Sequence, residues 1–100
     1  QWDILEFIRN PHHVSPEWPK GYWPSEDESA DENRWNETLS RFNSDLKAVE
    51  TIAEDPETDF FKPLDHAPDY TIFREILLVA DHNAYHTGQL VVLKRLLKII

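Results

Sequence analysis

The sequence predicts an all-α protein, and three observations lead to this fold class. Apolar residues recur at helical spacing in three segments, prolines separate these segments, and no stretch alternates between apolar and polar residues as a half-buried β-strand does. The length of 100 residues suits a single domain, and 40% hydrophobic with 29% charged residues is typical of a globular chain. We therefore expect one small helical domain over residues 1–100.

The first predicted helix covers residues 1–9, which carry an apolar stripe, and Pro11 prevents its continuation. No capping residue precedes this helix, so we expect the natural protein to carry further residues before Gln1. A loop follows over residues 10–27, with four prolines and two tryptophans. Tryptophans in a loop favour a hydrophobic lid over one end of the domain, and a wall that contacts a substrate is the alternative.

The second predicted helix starts at Ser29, because Ser29 and Glu32 fit the capping box of a helix N-terminus. Its apolar residues then recur at alternating steps of four and three, which is the pattern of a bundle helix, until Pro56 ends it. These residues are Trp35, Leu39, Phe42, Leu46, Val49 and Ala53. A second loop over residues 55–69 contains three prolines and leads to the last helix.

The third predicted helix runs from Tyr70 to Lys98, with Asp69 or Thr71 as its cap. It carries apolar residues on more than one face, so a further helix is needed to cover it. We expect that helix to come from residues before Gln1 or from a partner chain. The three predicted helices therefore form an incomplete helical bundle.

The composition argues against several classes of function. A net charge of -9 at pH 7 repels phosphate groups, so we expect no binding to nucleic acid or to anionic membrane surfaces. The chain has no Cys, which excludes disulfides, thiolate metal ligands and cysteine nucleophiles. We see no secretory signal and no apolar run of membrane-spanning length, so a cytoplasmic protein is expected.

Two histidines of the third helix are the main candidates for a functional site. His82 and His86 are four residues apart, so both imidazoles point to the same side of a helix, as two ligands of one metal ion do. Apolar residues flank the pair, which predicts that it lies in the buried stripe of the helix. A metal ion would offset the free-energy cost of burying both imidazoles. Two core histidines that hydrogen-bond to backbone or to carboxylates are the alternative.

Two residues near the pair limit the chemistry that we expect. The position after the first histidine is Asn83, where zinc metalloproteases carry a glutamate as general base, so we do not expect a protease. Gly88 lowers helix stability by about 1 kcal/mol relative to alanine. This glycine either allows close packing between helices or opens a channel for a ligand.

Other polar residues are weaker candidates for metal ligands. His12 and His13 lie between prolines and are expected to be exposed loop residues. His66 lies just before the third helix, distant from the histidine pair along the chain. Asp3 and Glu6 of the first helix are candidate carboxylate ligands, and surface charge without a ligand role is the alternative.

The segment 71–90 resembles the closing helix of the DinB-like superfamily of metal-binding helical proteins. It contains the H-x-x-x-H motif at His82 and His86, followed by Gly88 and Gln89. The resemblance implies a DinB-like four-helix up-down bundle, of which residues 1–100 would be a partial domain without the N-terminal helix. It also implies that the protein is a homodimer.

The same resemblance implies a divalent transition metal, zinc or nickel, that is bound by three histidines. His82 and His86 match two of these, and the third normally lies on the second helix of the bundle. Residues 1–9 would be the end of that helix and contain no histidine, so the missing ligand is expected before Gln1. Family members of known activity are thiol-dependent transferases or isomerases, in which the metal activates a low-molecular-weight thiol.

Three functions therefore remain open for the chain. The first is a metal-dependent thiol S-transferase or a related enzyme that uses His82 and His86. The second is a non-catalytic helical dimer with a structural histidine pair, and the third is a protein that stores or senses metal. An open coordination position beside an apolar cleft would favour the enzyme, and a sealed pair would favour a structural role.

Overall fold

A computed structural model describes residues 1–99 of the chain. The described chain is mostly helical, as the sequence predicts, and a small two-stranded sheet accompanies the helices. A short 3-10 helix, Lys20–Tyr22, lies in the first loop. The main elements are α1 (Trp2–Arg9), α2 (Glu32–Glu54), β1 (Pro63–Leu64), β2 (Ala67–Thr71) and α3 (Ile72–Leu96).

The core lies where the three helices meet. Leu5 of α1 is fully buried and packs with Val49 of α2 and Val79 of α3. Partly buried residues surround this cluster, namely Ile4, Ala48, Ile52 and Ile76. Burying an aliphatic side chain of this size contributes about 1.5–3 kcal/mol relative to leaving it exposed. This small cluster therefore holds α1 against both long helices.

Both long helices begin later than the sequence predicts. Asp31 caps α2, because its side chain accepts a hydrogen bond from the backbone N–H of Arg34 at 2.8 Å, and the predicted cap at Ser29 is wrong. Thr71, one of the two predicted caps, starts α3 by accepting a hydrogen bond from the backbone N–H of Arg74 at 3.1 Å. Each cap satisfies a backbone N–H group that has no partner within the first helical turn.

The prediction that residues 55–69 form only a loop is wrong. β1 and β2 pair in antiparallel orientation, with Pro63 opposite Thr71 and an irregular register beside this pair. β1 has two residues, which is too short for an alternating sequence pattern. The turn between the strands contains His66, whose Nε2 atom is 2.7 Å from the backbone carbonyl oxygen of Phe7. This contact fastens the turn to α1.

The tryptophans of the first loop do not form the predicted lid. Trp18 is 75% exposed and Trp23 is 71% exposed, so neither ring covers the core. The loop is instead held to α1 by hydrogen bonds to the Asp3 side chain. Its position thus depends on a polar contact rather than on burial of the indole rings.

Large apolar side chains remain exposed in the first half of α2 and the second half of α3. They include Trp35 and Leu39 on α2 and Leu90, Leu93 and Leu96 on α3. The apolar stripe of α2 is therefore buried only near Val49. Of the helices within residues 1–99, none combines the length and the apolar character that crossing a bilayer requires.

Candidate metal centre

His82 and His86 lie side by side on α3, one helical turn apart. Their Nε2 atoms are 3.1 Å apart and in hydrogen-bond contact. The centroids of the two rings are 4.5 Å apart, with an angle of 73° between the ring planes. The prediction that both imidazoles point to one side of the helix is therefore confirmed.

The histidine pair is more exposed than the sequence predicts. His82 is half-buried and His86 is exposed, because the buried stripe of α3 ends at Val79. Exposure leaves the pair accessible to ions and small molecules from solvent. Burial lowers the pKa of His82 below its ordinary value, and the neighbouring His86 lowers it further, since both disfavour a positive charge on the His82 ring.

The separation of the two Nε2 atoms fits two ligands of one metal ion. Zinc binds histidine nitrogen at about 2.0–2.1 Å, which places two nitrogens about 3.3–3.4 Å apart at the tetrahedral angle and about 2.8–3.0 Å apart at a right angle. The observed 3.1 Å lies between these distances. Neutral imidazole suits zinc, nickel, copper and iron, so these donors do not choose among the metals.

Two neighbouring side chains on α3 orient the ring of His86. Its Nδ1 atom is 2.8 Å from the side-chain oxygen Oε1 of Gln89. The side-chain nitrogen of Gln89 donates a hydrogen bond to the hydroxyl of Tyr85 at 3.3 Å, and the rings of Tyr85 and His86 meet edge to face. The sequence pattern predicted no role for Tyr85. Its spacing of four residues from Gln89 is the signal that identifies it.

Asn83, which follows the first histidine, connects α3 to the start of the chain. Its side-chain nitrogen donates a hydrogen bond to Oε1 of Gln1 at 2.8 Å, and the Gln1 side chain donates to the backbone carbonyl of Phe42 at 2.9 Å. Gln1 thus bridges the two long helices beside His82. An amide side chain does not act as a general base, so Asn83 cannot replace the glutamate of a protease motif.

Over residues 1–99, the structure does not bring a third ligand to the pair. Within residues 1–99, no group of three or more His, Cys, Asp or Glu side chains is arranged to hold a metal ion. The two candidate carboxylates have other partners, since Asp3 binds loop side chains and Glu6 binds Arg9. The weaker candidates Asp3 and Glu6 are therefore engaged away from the histidine pair.

Sequence reasoning missed a polar cluster around Asp3. One carboxylate oxygen is 2.7 Å from Nε2 of His13, and the other accepts hydrogen bonds from the hydroxyls of Ser15 at 3.1 Å and Tyr22 at 2.9 Å. His13 also packs edge to face against Trp2, and its side chain is only 8% exposed. The prediction that His13 is an exposed loop residue is therefore wrong. No local pattern indicates this cluster, because its members are 10 to 19 residues from Asp3.

The remaining candidates do not extend the site. His12 is exposed, as predicted. His66 binds the backbone of Phe7 and packs edge to face on its ring, so it has a structural role. A Cβ atom added at Gly88 would meet no heavy atom of the described chain within 4 Å. Close packing between the described helices therefore does not explain this glycine.

Two clefts of the described chain lie away from the histidine pair. The larger one, of about 650 Å³, lies between the first loop and α2 and is lined by Trp23 and Trp35 among others. The smaller one, of about 210 Å³, lies between α1 and α3. Neither of these two clefts is lined by His82 or His86.

Comparison of the chain with protein-family models, with curated proteins and with solved structures finds no match. The function is therefore inferred from the geometry of the histidine pair and from the sequence motif of α3.

Proposed function

We propose that the chain is a metal-binding protein of the DinB-like type in which His82 and His86 bind zinc or nickel. We further propose that the complete site serves a metal-dependent thiol S-transferase or a related enzyme. The observation that carries the proposal is the 3.1 Å separation of the two Nε2 atoms on an accessible face of α3. The motif formed by the two histidines, Gly88 and Gln89 supports the family assignment.

Each residue of the pair has a definite role in this proposal. Both histidines present an Nε2 lone pair to the metal, and the exposed surface around His86 leaves room for further ligands. When bound, the metal supplies positive charge that favours the thiolate form of a low-molecular-weight thiol. Structural zinc needs four ligands and catalytic zinc normally has three protein ligands. A complete site of this type therefore needs at least one further protein ligand beside His82 and His86.

Calorimetric titration with Zn²⁺ or Ni²⁺ tests the binding step. We expect saturable binding by the wild-type chain, and we expect its loss in His82→Ala and in His86→Ala, because each variant removes one of two described ligands. His12→Ala is the matched control, since it removes an exposed loop histidine and should leave binding unchanged. The proposal is refuted if the wild-type chain binds neither metal, or if both pair variants bind as the wild type does.

A thiol-consumption assay tests the enzymatic step separately. We expect the metal-loaded protein to accelerate the reaction of a low-molecular-weight thiol with an electrophile, and we expect His86→Ala to lack this acceleration. If metal binds without acceleration, the transferase assignment is wrong and a role in storage or sensing of metal remains.

A non-catalytic helical dimer with a structural histidine pair is the second candidate function. Two observations favour it. The two histidines already serve as hydrogen-bond partners for each other through their Nε2 atoms. Apolar residues of α3 such as Leu90 and Leu93 are exposed, as the residues of a dimer interface are in an isolated chain. Sedimentation analysis distinguishes the candidates. A homodimer whose association is insensitive to metal and is lost in Leu93→Glu supports the structural dimer, and a monomer contradicts it.

A further inference from the structure

The contact between His86 and Gln89 assigns the position of a proton. An amide oxygen only accepts hydrogen bonds, and a neutral imidazole carries its single N–H on one of its two nitrogens. Oε1 of Gln89 is 2.8 Å from Nδ1 of His86, so in this orientation of the amide the Nδ1 atom carries the hydrogen. The Nε2 atom of His86 is then left with its lone pair.

The contact between the two histidines assigns the second proton. Their Nε2 atoms are 3.1 Å apart, and one of them must donate the hydrogen that joins them. Because Nε2 of His86 has the lone pair, Nε2 of His82 carries the hydrogen. This pattern of contacts pairs opposite neutral tautomers of the two rings.

We propose that Gln89 is a positioning residue that holds His86 in the Nδ1–H tautomer and so presents its Nε2 lone pair to a metal ion. The part of this inference that concerns metal rests on the proposed function. His82 starts in the other tautomer, with its hydrogen on Nε2. Before this Nε2 can bind a metal ion, it must release its proton to water while Nδ1 takes up a proton from water. His86 is thus the prepared ligand, and His82 is the ligand that rearranges.

Tyr85 supports this arrangement by holding the Gln89 side chain. A glutamine on an exposed helix surface has several accessible rotamers. Fixing one of them costs side-chain entropy, which weakens the contact between Gln89 and His86. The Tyr85 hydroxyl accepts a hydrogen bond from Gln89 at 3.3 Å, which directs Oε1 toward His86. Supporting contacts of this kind orient metal-binding histidines, and removing them lowers metal affinity about 10–100-fold.

Nitrogen NMR of the imidazole rings tests the tautomers without any metal. At about pH 8, where ordinary histidines are neutral, we expect Nδ1–H for His86 and Nε2–H for His82. Gln89→Met keeps a chain of similar length without the amide oxygen, so His86 should shift toward a mixture of tautomers. Gln89→Glu keeps an oxygen acceptor and should preserve the Nδ1–H form. Tyr85→Phe should produce a smaller shift than Gln89→Met.

Metal titration of the same variants separates this inference from the proposed function. We expect Gln89→Met to bind Zn²⁺ about 10–100-fold more weakly than the wild type. We expect the separate variant Gln89→Glu to bind Zn²⁺ about as tightly as the wild type does. An Nε2–H tautomer of His86 in the wild type, or an unchanged tautomer in Gln89→Met, overturns the inference even if metal binds. If the tautomers are as expected and the wild type binds no metal, the positioning of His86 is supported and the proposed metal function fails.

Discussion

Asp3 is expected to stabilise the fold in a pH-dependent way, and Asp3→Asn measures this effect. Its carboxylate accepts three hydrogen bonds, from His13, Ser15 and Tyr22. A hydrogen bond to a charged group contributes about 1.5–3 kcal/mol to the free energy of unfolding, and a hydrogen bond between neutral groups contributes about 0.5–1.5 kcal/mol. Replacing the charged carboxylate with a neutral amide therefore removes about 1 kcal/mol from each of the three hydrogen bonds. The side chain of Asp3 is 23% exposed, and screening by water reduces the sum. We expect Asp3→Asn to lower the free energy of unfolding by about 2 kcal/mol at neutral pH.

The pH dependence follows from the pKa of Asp3. Burial raises this pKa, but the hydrogen bonds from His13, Ser15 and Tyr22 outweigh burial and hold it below its ordinary value. The carboxyl of the unfolded chain titrates near pH 3.9. The stabilisation is therefore fully present above that pH and disappears as the pH falls through the lower pKa of the folded state.

Urea unfolding followed by tryptophan fluorescence measures the difference between the wild type and Asp3→Asn. We expect the difference to be large at about pH 7 and to shrink steadily as the pH falls below about 4. Asp65→Asn is the control, because the Asp65 side chain is 94% exposed and its substitution should change stability by less than about 0.5 kcal/mol. The reasoning would be refuted if Asp3→Asn lowered the free energy of unfolding equally at neutral and at acidic pH. It would also be refuted if Asp65→Asn lowered the free energy of unfolding as much as Asp3→Asn does.

Two further predictions concern the packing around α1. Leu5→Ala should lower the free energy of unfolding by about 2–5 kcal/mol, because it opens a cavity at a fully buried position, whereas Leu90→Ala at a 63% exposed position should change it by less than about 0.5 kcal/mol. Equal losses in urea unfolding would contradict the described core. His66→Ala should lower stability by about 1–2 kcal/mol, since the Phe7 carbonyl loses its hydrogen-bond partner. An unchanged unfolding midpoint would show that the turn does not depend on this contact.

The helices were predictable because their signals are local. Proline ended α2 where the sequence predicts, and Thr71 capped α3 as one of two predicted caps. The cap of α2 was predicted two residues early, because both Ser29 and Asp31 are residue types that cap helices. Sequence pattern alone does not decide between two candidate caps that lie two residues apart, since the choice depends on which backbone N–H group the side chain reaches.

The contacts between distant segments were not predictable from the same signals. His13 meets Asp3 only because the first loop turns back on α1, and His66 meets Phe7 only because two short strands form a turn. The exposure of His86 was missed for a related reason. A periodic apolar pattern shows which helix face favours burial, but it does not show whether another segment covers that face.

The central claim is that His82 and His86 bind one metal ion together. Nitrogen NMR of the imidazole rings during a Zn²⁺ titration tests it at the level of single residues. We predict that the Nε2 signals of both histidines change together and in proportion to bound metal, while the signals of His12, His13 and His66 stay in place. A change at only one of the two histidines, or a change at the other three without this pair, would contradict the claim.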